Sequence, residues 1–143
     1  MKLYLLIMGV GFLLQCAAVP RSSGTATGTV EVELDIFSGR PNPAWKLSEE
    51  EASQFLGMLY ELPGAEAQPD EGKLGYRGFV VSFKDPQGQV ATARIHEGTV
   101  ERSAGGSTEY FADKDRKLER WLLQASASRL SPDLYDIVAK EVS

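Results

Sequence analysis

The sequence predicts an α+β domain: a mostly antiparallel sheet of about four strands, in the order β-α-β-β-β-α-α, with the helices packed on one face. Three observations predict it. Val30, Val32, Leu34 and Ile36 alternate with Glu31, Glu33 and Asp35, the period of a strand with one buried face and one wet face. Two hairpin signals, Asp85-Pro86-Gln87-Gly88 and Glu97-Gly98, divide a later stretch into three strands. Ser48-Glu49-Glu50-Glu51 and Ser131-Pro132-Asp133 are helix starts, each followed by apolar residues at helical spacing.

The first strand runs from Val30 to Ile36. Ser48 is the N-cap and Glu51 the N3 partner of a capping box, and three carboxylates suit the positive end of a helix that continues to about Tyr60. Ala52, Phe55, Leu56, Leu59 and Tyr60 form its apolar stripe, and Pro63-Gly64 ends it. Residues 61–75, with two prolines and several acids, read as an exposed loop. Tyr76 to Lys84 is the next strand. A type I turn with a glycine bulge at Asp85-Pro86-Gln87-Gly88 pairs Asp85 with Gln89, which sets Phe83 opposite Ala91, Val81 opposite Ala93 and Phe79 opposite Ile95. A slip by one residue would oppose Phe79 to Arg94, so the register is well specified. A two-residue turn at Glu97-Gly98 opposes Ile95 to Val100 and Arg94 to Glu101, an apolar pair and a charge pair. Gly105-Gly106 breaks that strand. Asp113 then caps a helix carrying Leu118, Trp121, Leu122 and Ala125, and Leu134, Ile137 and Val138 are the apolar face of the last helix.

The chain has 143 residues, enough for one domain, assigned to 30–143. The first 18 residues have the layout of a secretory signal peptide: Lys2, an apolar run from Leu3 to Leu14, then small residues at Ala17-Ala18. Cleavage is expected after Ala18, with Gly24-Thr25-Ala26 as a second place, and residues 19–29 read as a flexible leader. The expected location is therefore secreted, periplasmic or in the cell envelope. The apolar run is too short to span a bilayer. Cys16 is the sole cysteine, so no internal disulfide can form. Leu-Leu-Gln-Cys loosely resembles a bacterial lipobox, which makes a lipid anchor on Cys16 the alternative, although Gln15 stands where a small residue is usual. Net charge is −5, and no basic run occurs. Nucleic acid is excluded as a partner, because binding phosphate needs clustered Lys and Arg.

No catalytic, metal or cofactor residues are assigned. His96 is the only histidine and falls on the polar face of the meander, beside a turn. Asp113 and Asp115 are interleaved with Lys114, Arg116 and Lys117, which contradicts a calcium loop. Neither a nucleophile elbow nor a phosphate-cradling loop is present. Glu31, Glu33 and Asp35 share one strand face, where a solvated surface is expected. Trp121 belongs to a helix stripe, whereas Trp45 precedes the first helix cap and suits either core packing or an exposed stacking surface.

Sequence cost is concentrated in Phe37-Ser38-Gly39-Arg40-Pro41-Asn42-Pro43. Gly39 permits a positive φ, two prolines fix φ, and each restricts the residue before it. Such a segment cannot pair as a central strand. It is either a rigid corner whose Arg40 bonds nearby carbonyls or Asp35, or a pre-ordered loop that displays Arg40, Asn42 and Trp45 to a partner. The segment from Asp35 to Ser48, FSGRPNP-x-W within it, is similar to one in small exported proteins of unknown function. The resemblance implies no activity. The expected function is an exported binding or interaction module that meets a protein, peptide or glycan through Arg40, Asn42 and Trp45 on loop 38–45. The alternatives are a small secreted hydrolase and an inhibitor or structural surface protein.

Overall fold

A computed structural model describes residues 28–68 and 72–143. The expected signal peptide, Cys16 with it, and the leader up to residue 27 lie outside the described residues. The elements are β1 (Glu31–Leu34), β2 (Ala44–Lys46), α1 (Glu49–Tyr60), β3 (Phe79–Lys84), β4 (Val90–His96), β5 (Thr99–Ala104), β6 (Ser107–Ala112), a 3₁₀ turn (Lys114–Arg116), α2 (Lys117–Ala125) and α3 (Pro132–Val142). The protein is α+β, with an open antiparallel sheet of six strands in the order β2-β1-β3-β4-β5-β6 and three helices. Two strands are thus added to the expected four, and the element order is corrected to β-β-α-β-β-β-β-α-α.

The first added strand comes from the proline-rich segment. Asn42 Oδ1 accepts from the N–H of Ile36 (3.1 Å) and of Phe37 (2.8 Å), so one side chain holds the reversing chain against the end of β1. Gly39 sits at φ 83°, a conformation that glycine adopts freely. Leu34 N–H then donates to Pro43 carbonyl at 2.9 Å, and β2 returns along β1 with Trp45 opposite Val32. Being three residues long and preceded by proline, β2 can only be an edge strand.

The second added strand comes from Gly105-Gly106. Both glycines have positive φ, 56° and 80°, as a two-residue hairpin turn requires, so the pair reverses the chain into β6 instead of ending the sheet. The main chain of 63–65 then covers part of the β6 edge: Ala112 N–H donates to Pro63 carbonyl and Ala65 N–H to Tyr110 carbonyl. That leaves less unpaired edge on which another chain could pair.

Between these additions the expected registers are present. Phe79, Val81 and Phe83 face Ile95, Ala93 and Ala91, and Asp85 N–H donates to Gln89 carbonyl at 2.9 Å with Gly88 at φ 79°. Ile95 faces Val100 and Arg94 faces Glu101 across a turn whose Glu97 and Gly98 both have positive φ. The strand from Tyr76 is shorter than expected. Gly78, at φ 96°, bends the chain before Phe79, and a β-carbon there would lie 2.2 Å from the Ile95 carbonyl oxygen. Only glycine lets the backbones approach this closely.

The helices start as their sequences dictate. Ser48 Oγ accepts from Glu51 N–H, and the Glu51 carboxylate accepts from Ser48 N–H at 2.9 Å, a complete capping box. Ser131 caps α3, with Pro132 at its first position. Asp113 caps α2 from farther away than expected. It is buried, and its carboxylate accepts from Leu118 N–H and Glu119 N–H across the intervening 3₁₀ turn.

Val32, Leu34, Phe79, Val81, Phe83, Ala91, Ala93, Ile95 and Val100 bury one face of the sheet, and Phe55, Leu59, Leu118, Leu122 and Val138 of the helices complete the same core. Trp121 is half-buried, tilted against Phe55 at 6.4 Å between ring centroids. The opposite face carries Glu31, Glu33, Ser82, Thr92, Arg94, Glu101 and Tyr110 in alternating positions, half-exposed or exposed.

Candidate functional site

The alternation that fills the core puts a second set of side chains in line on the other face. Reading across β1, β3, β4, β5 and β6, one row is Glu33, Val80, Arg94, Glu101, Tyr110. The neighbouring row ends in His96 and Thr99, which are themselves paired. At this corner the face is hollowed into a groove of about 500 Å³, walled on one side by Gln68 and Lys73. A volume of that order is typical of small-molecule sites.

One end of the groove is a rigid ionic cluster. Asp35, just past β1, receives Arg77 Nη2 at 2.5 Å and Arg77 Nε at 3.1 Å on one oxygen, and Arg94 Nη1 at 2.7 Å on the other. Arg77 also donates to the carbonyls of Phe37 and Gly75, and Asn42 Nδ2 approaches the same Asp35 oxygen at 3.4 Å. Burial alone would raise the Asp35 carboxyl, but the bonds from Arg77 and Arg94 outweigh it and hold the group below the ordinary aspartate value. Asp35 is thus no free surface carboxylate, as an alternating strand face implied. Glu97, at the rim, is held down chiefly by its 2.8 Å bond from Lys73.

The other end is unsatisfied. Arg94 and Glu101 lie opposite each other as expected, yet the charge pair does not form, because Arg94 turns to Asp35. Glu101 is left half-buried with no ion pair or hydrogen bond among the described residues, and the same holds for the side chains of Thr99 and Tyr110. His96 makes no hydrogen bond among them either; its ring meets the edge of Tyr76 at 5.5 Å. A general base needs a proton to take and commonly an orienting partner, and His96 has no carboxylate to orient it. Among the described residues no group of three or more His, Cys, Asp or Glu could hold a metal ion.

Of the three residues predicted to bind, only Arg40 faces solvent. Its guanidinium lies over the Phe37 ring at 3.5 Å, and Asp35, its expected partner, is occupied by Arg77 and Arg94. Asn42 is half-buried and spends its oxygen on Ile36 and Phe37 and its nitrogen on Glu33 and Asp35. Trp45 packs against the core, edge-on to Phe79 at 6.5 Å, and its buried Nε1 has no hydrogen-bond partner among the described residues. The structure therefore brings Asn42 to the ionic cluster and leaves Arg40 and Trp45 apart from it. Sequence alone gives no role to Arg77 or Tyr110, and gives Glu101 only as the charge partner of Arg94. The register that it derived already put Arg94 and Glu101 side by side on the polar face; what it lacked was the competing claim of Asp35 on Arg94.

A second ionic cluster joins two buried side chains, Tyr76 and Glu119, to the half-buried Arg116. Glu119 is fully buried on α2, accepting from Tyr76 Oη at 2.6 Å and from Arg116 Nε at 2.7 Å and Nη2 at 3.0 Å. Arg116 also donates to the Glu141 carbonyl near the end of α3. Burial first, then Glu119, pushes the Tyr76 hydroxyl far above the usual phenol range, and the bond to Glu119 raises Arg116. The cluster locks the approach to β3, α2 and α3 together, and no ligand reaches its oxygens.

Comparison of the chain with known protein families, with curated proteins and with solved structures returns no match.

Proposed function

We propose that the protein is an exported binding module whose recognition surface is the groove on the polar sheet face. The observation that carries this reading is the set of unsatisfied polar side chains on its floor. Thr99, Glu101 and Tyr110 hold donors and acceptors with no partner among the described residues, next to a cluster in which both Asp35 oxygens are occupied. Polar groups ready to exchange water for a ligand, fixed on adjacent strands, lose little freedom when one binds. Among the described residues no carboxylate bonds to His96, so no observation favours the histidine form of the hydrolase alternative. Arg40, exposed at a stiff loop tip, favours a second reading in which loop 38–45 offers one cationic contact to a protein, peptide or glycan.

A thermal-shift screen of small polar metabolites, amino acids, sugars and short peptides tests the groove. Compounds that raise the melting temperature of the chain are expected to lose that effect in Thr99→Arg, which fills the groove from β5. Hits that survive Thr99→Arg but vanish in Arg40→Ala would move recognition to the loop and overturn the reading.

A further inference from the structure

The groove is bipolar, and its two ends are displaced charges on facing residues of adjacent strands. At the first end two guanidinium groups share one carboxylate, Asp35, so one positive charge is in excess. Arg94 uses only Nη1, for Asp35 and the Arg77 carbonyl; its Nε and Nη2 carry no hydrogen bond among the described residues, and its side chain is 46% exposed. Apart from Glu101, which faces Arg94, the other acid in this row is Glu33, which is separated from Arg94 by Val80 and held by Asn42. At the second end Glu101 is a negative charge without a partner among the described residues. Lys73 and Glu97 on the wall cancel each other.

Facing residues of paired strands have β-carbons about 5 Å apart. Two opposite charges that face each other across that spacing, each free to bond outward, match a ligand with a carboxylate and an ammonium a few bonds apart. We infer that the groove takes a small zwitterion of the α-amino-acid type, as the free amino acid or a short free peptide, with its carboxylate on the Nε/Nη2 side of Arg94 and its ammonium on Glu101. This deepens the groove reading and rests on it. Thr99, two residues before Glu101 on β5, and Tyr110, opposite it on β6, supply hydroxyls to the ammonium end. Asp35 and Arg77 are positioning residues: they hold Arg94 away from Glu101, which would otherwise neutralise it.

The test is ligand-observed saturation-transfer NMR of the full chain with four probes: alanine, alanyl-alanine, N-acetylalanine, which lacks the ammonium, and alaninamide, which lacks the carboxylate. Alanine or alanyl-alanine should bind at least about tenfold more tightly than either blocked probe, since each blocked form loses a charge-assisted contact. The better of the two zwitterions tells the free amino acid from the short peptide. Glu101→Gln keeps the shape and should bring the zwitterion to within about twofold of N-acetylalanine, while Glu109→Gln, on the helix side of the sheet, should change nothing. Melting curves of both variants report folding. Blocked probes that bind as well as the zwitterions, with Thr99→Arg abolishing all of them, would overturn the zwitterion and leave the groove standing. Zwitterion binding that survives Thr99→Arg would overturn the groove as well, and no binding by any probe would overturn the zwitterion alone.

Discussion

Arg40 and Asn42 are two positions apart in the same stiff segment and have opposite duties. Asn42 replaces a stretch of sheet: its one oxygen satisfies two backbone N–H groups, and its nitrogen ties the loop to Glu33 and Asp35. Asn42→Ala leaves the Ile36 and Phe37 donors without their acceptor and should cost about 1–3 kcal/mol of unfolding free energy. Arg40→Ala loses only an exposed stacking contact and should cost no more than about 1 kcal/mol. Urea unfolding of the two variants measures the contrast, and equal losses would show that Arg40 is structural after all. Composition could not separate them, because both residues precede a proline in a segment whose conformation is fixed. The difference lies in where Asp35 finds its arginines, and they come from 42 and 59 residues away.

At the scale of elements, local signals were legible wherever a turn or cap specifies itself. Asp85 to Gly88 fixes the β3–β4 register through its own hydrogen bonds, and Ser48 with Glu51 fixes the start of α1. The sequence underdetermined β2 and β6. β2 is too short to alternate and exists because Asn42 folds it onto β1. β6 alternates Thr108 and Tyr110 outward with Glu109 and Phe111 toward the helix side, and Glu109 disguises that side because Arg102 pairs with it there. The α1 cap also carries a tertiary contact, since Arg129 donates to both oxygens of the Glu51 carboxylate. That bond is the largest influence on Glu51, followed by the bond from Ser48 N–H, and its carboxyl lies below the ordinary glutamate value. A carboxyl lowered in the folded state stabilises the protein above its unfolded pKa, about 4.3, and this contribution is lost as pH falls through the folded value. Asp35 and Glu97 are shifted in the same direction. Stability should therefore decline below about pH 4.5. Glu51→Gln should melt below the parent at pH 7, with a gap that narrows towards pH 2.5. A gap that stays constant with pH would rule out the ionised Glu51–Arg129 pair as its source.

For the whole molecule, the division of labour between the two sheet faces is the main result. The helix side is closed by apolar packing and by the buried Tyr76–Glu119–Arg116 cluster. The other side holds polar rows and the groove. Which face is buried could be read from alternation alone. The groove could not, because its charges depend on which of two acids, Asp35 or Glu101, captures Arg94, and Asp35 lies 59 residues away in the chain.

The central claim is that recognition belongs to the polar face at Arg94, Thr99, Glu101 and Tyr110. Amide chemical-shift mapping of the chain, titrated with the best compound from the thermal-shift screen, tests it most directly. Saturable shifts are expected centred on residues 94–101 and on Tyr110, with loop 38–45 and the three helices unmoved. Shifts confined to loop 38–45, or to the helix side of the sheet, would contradict it.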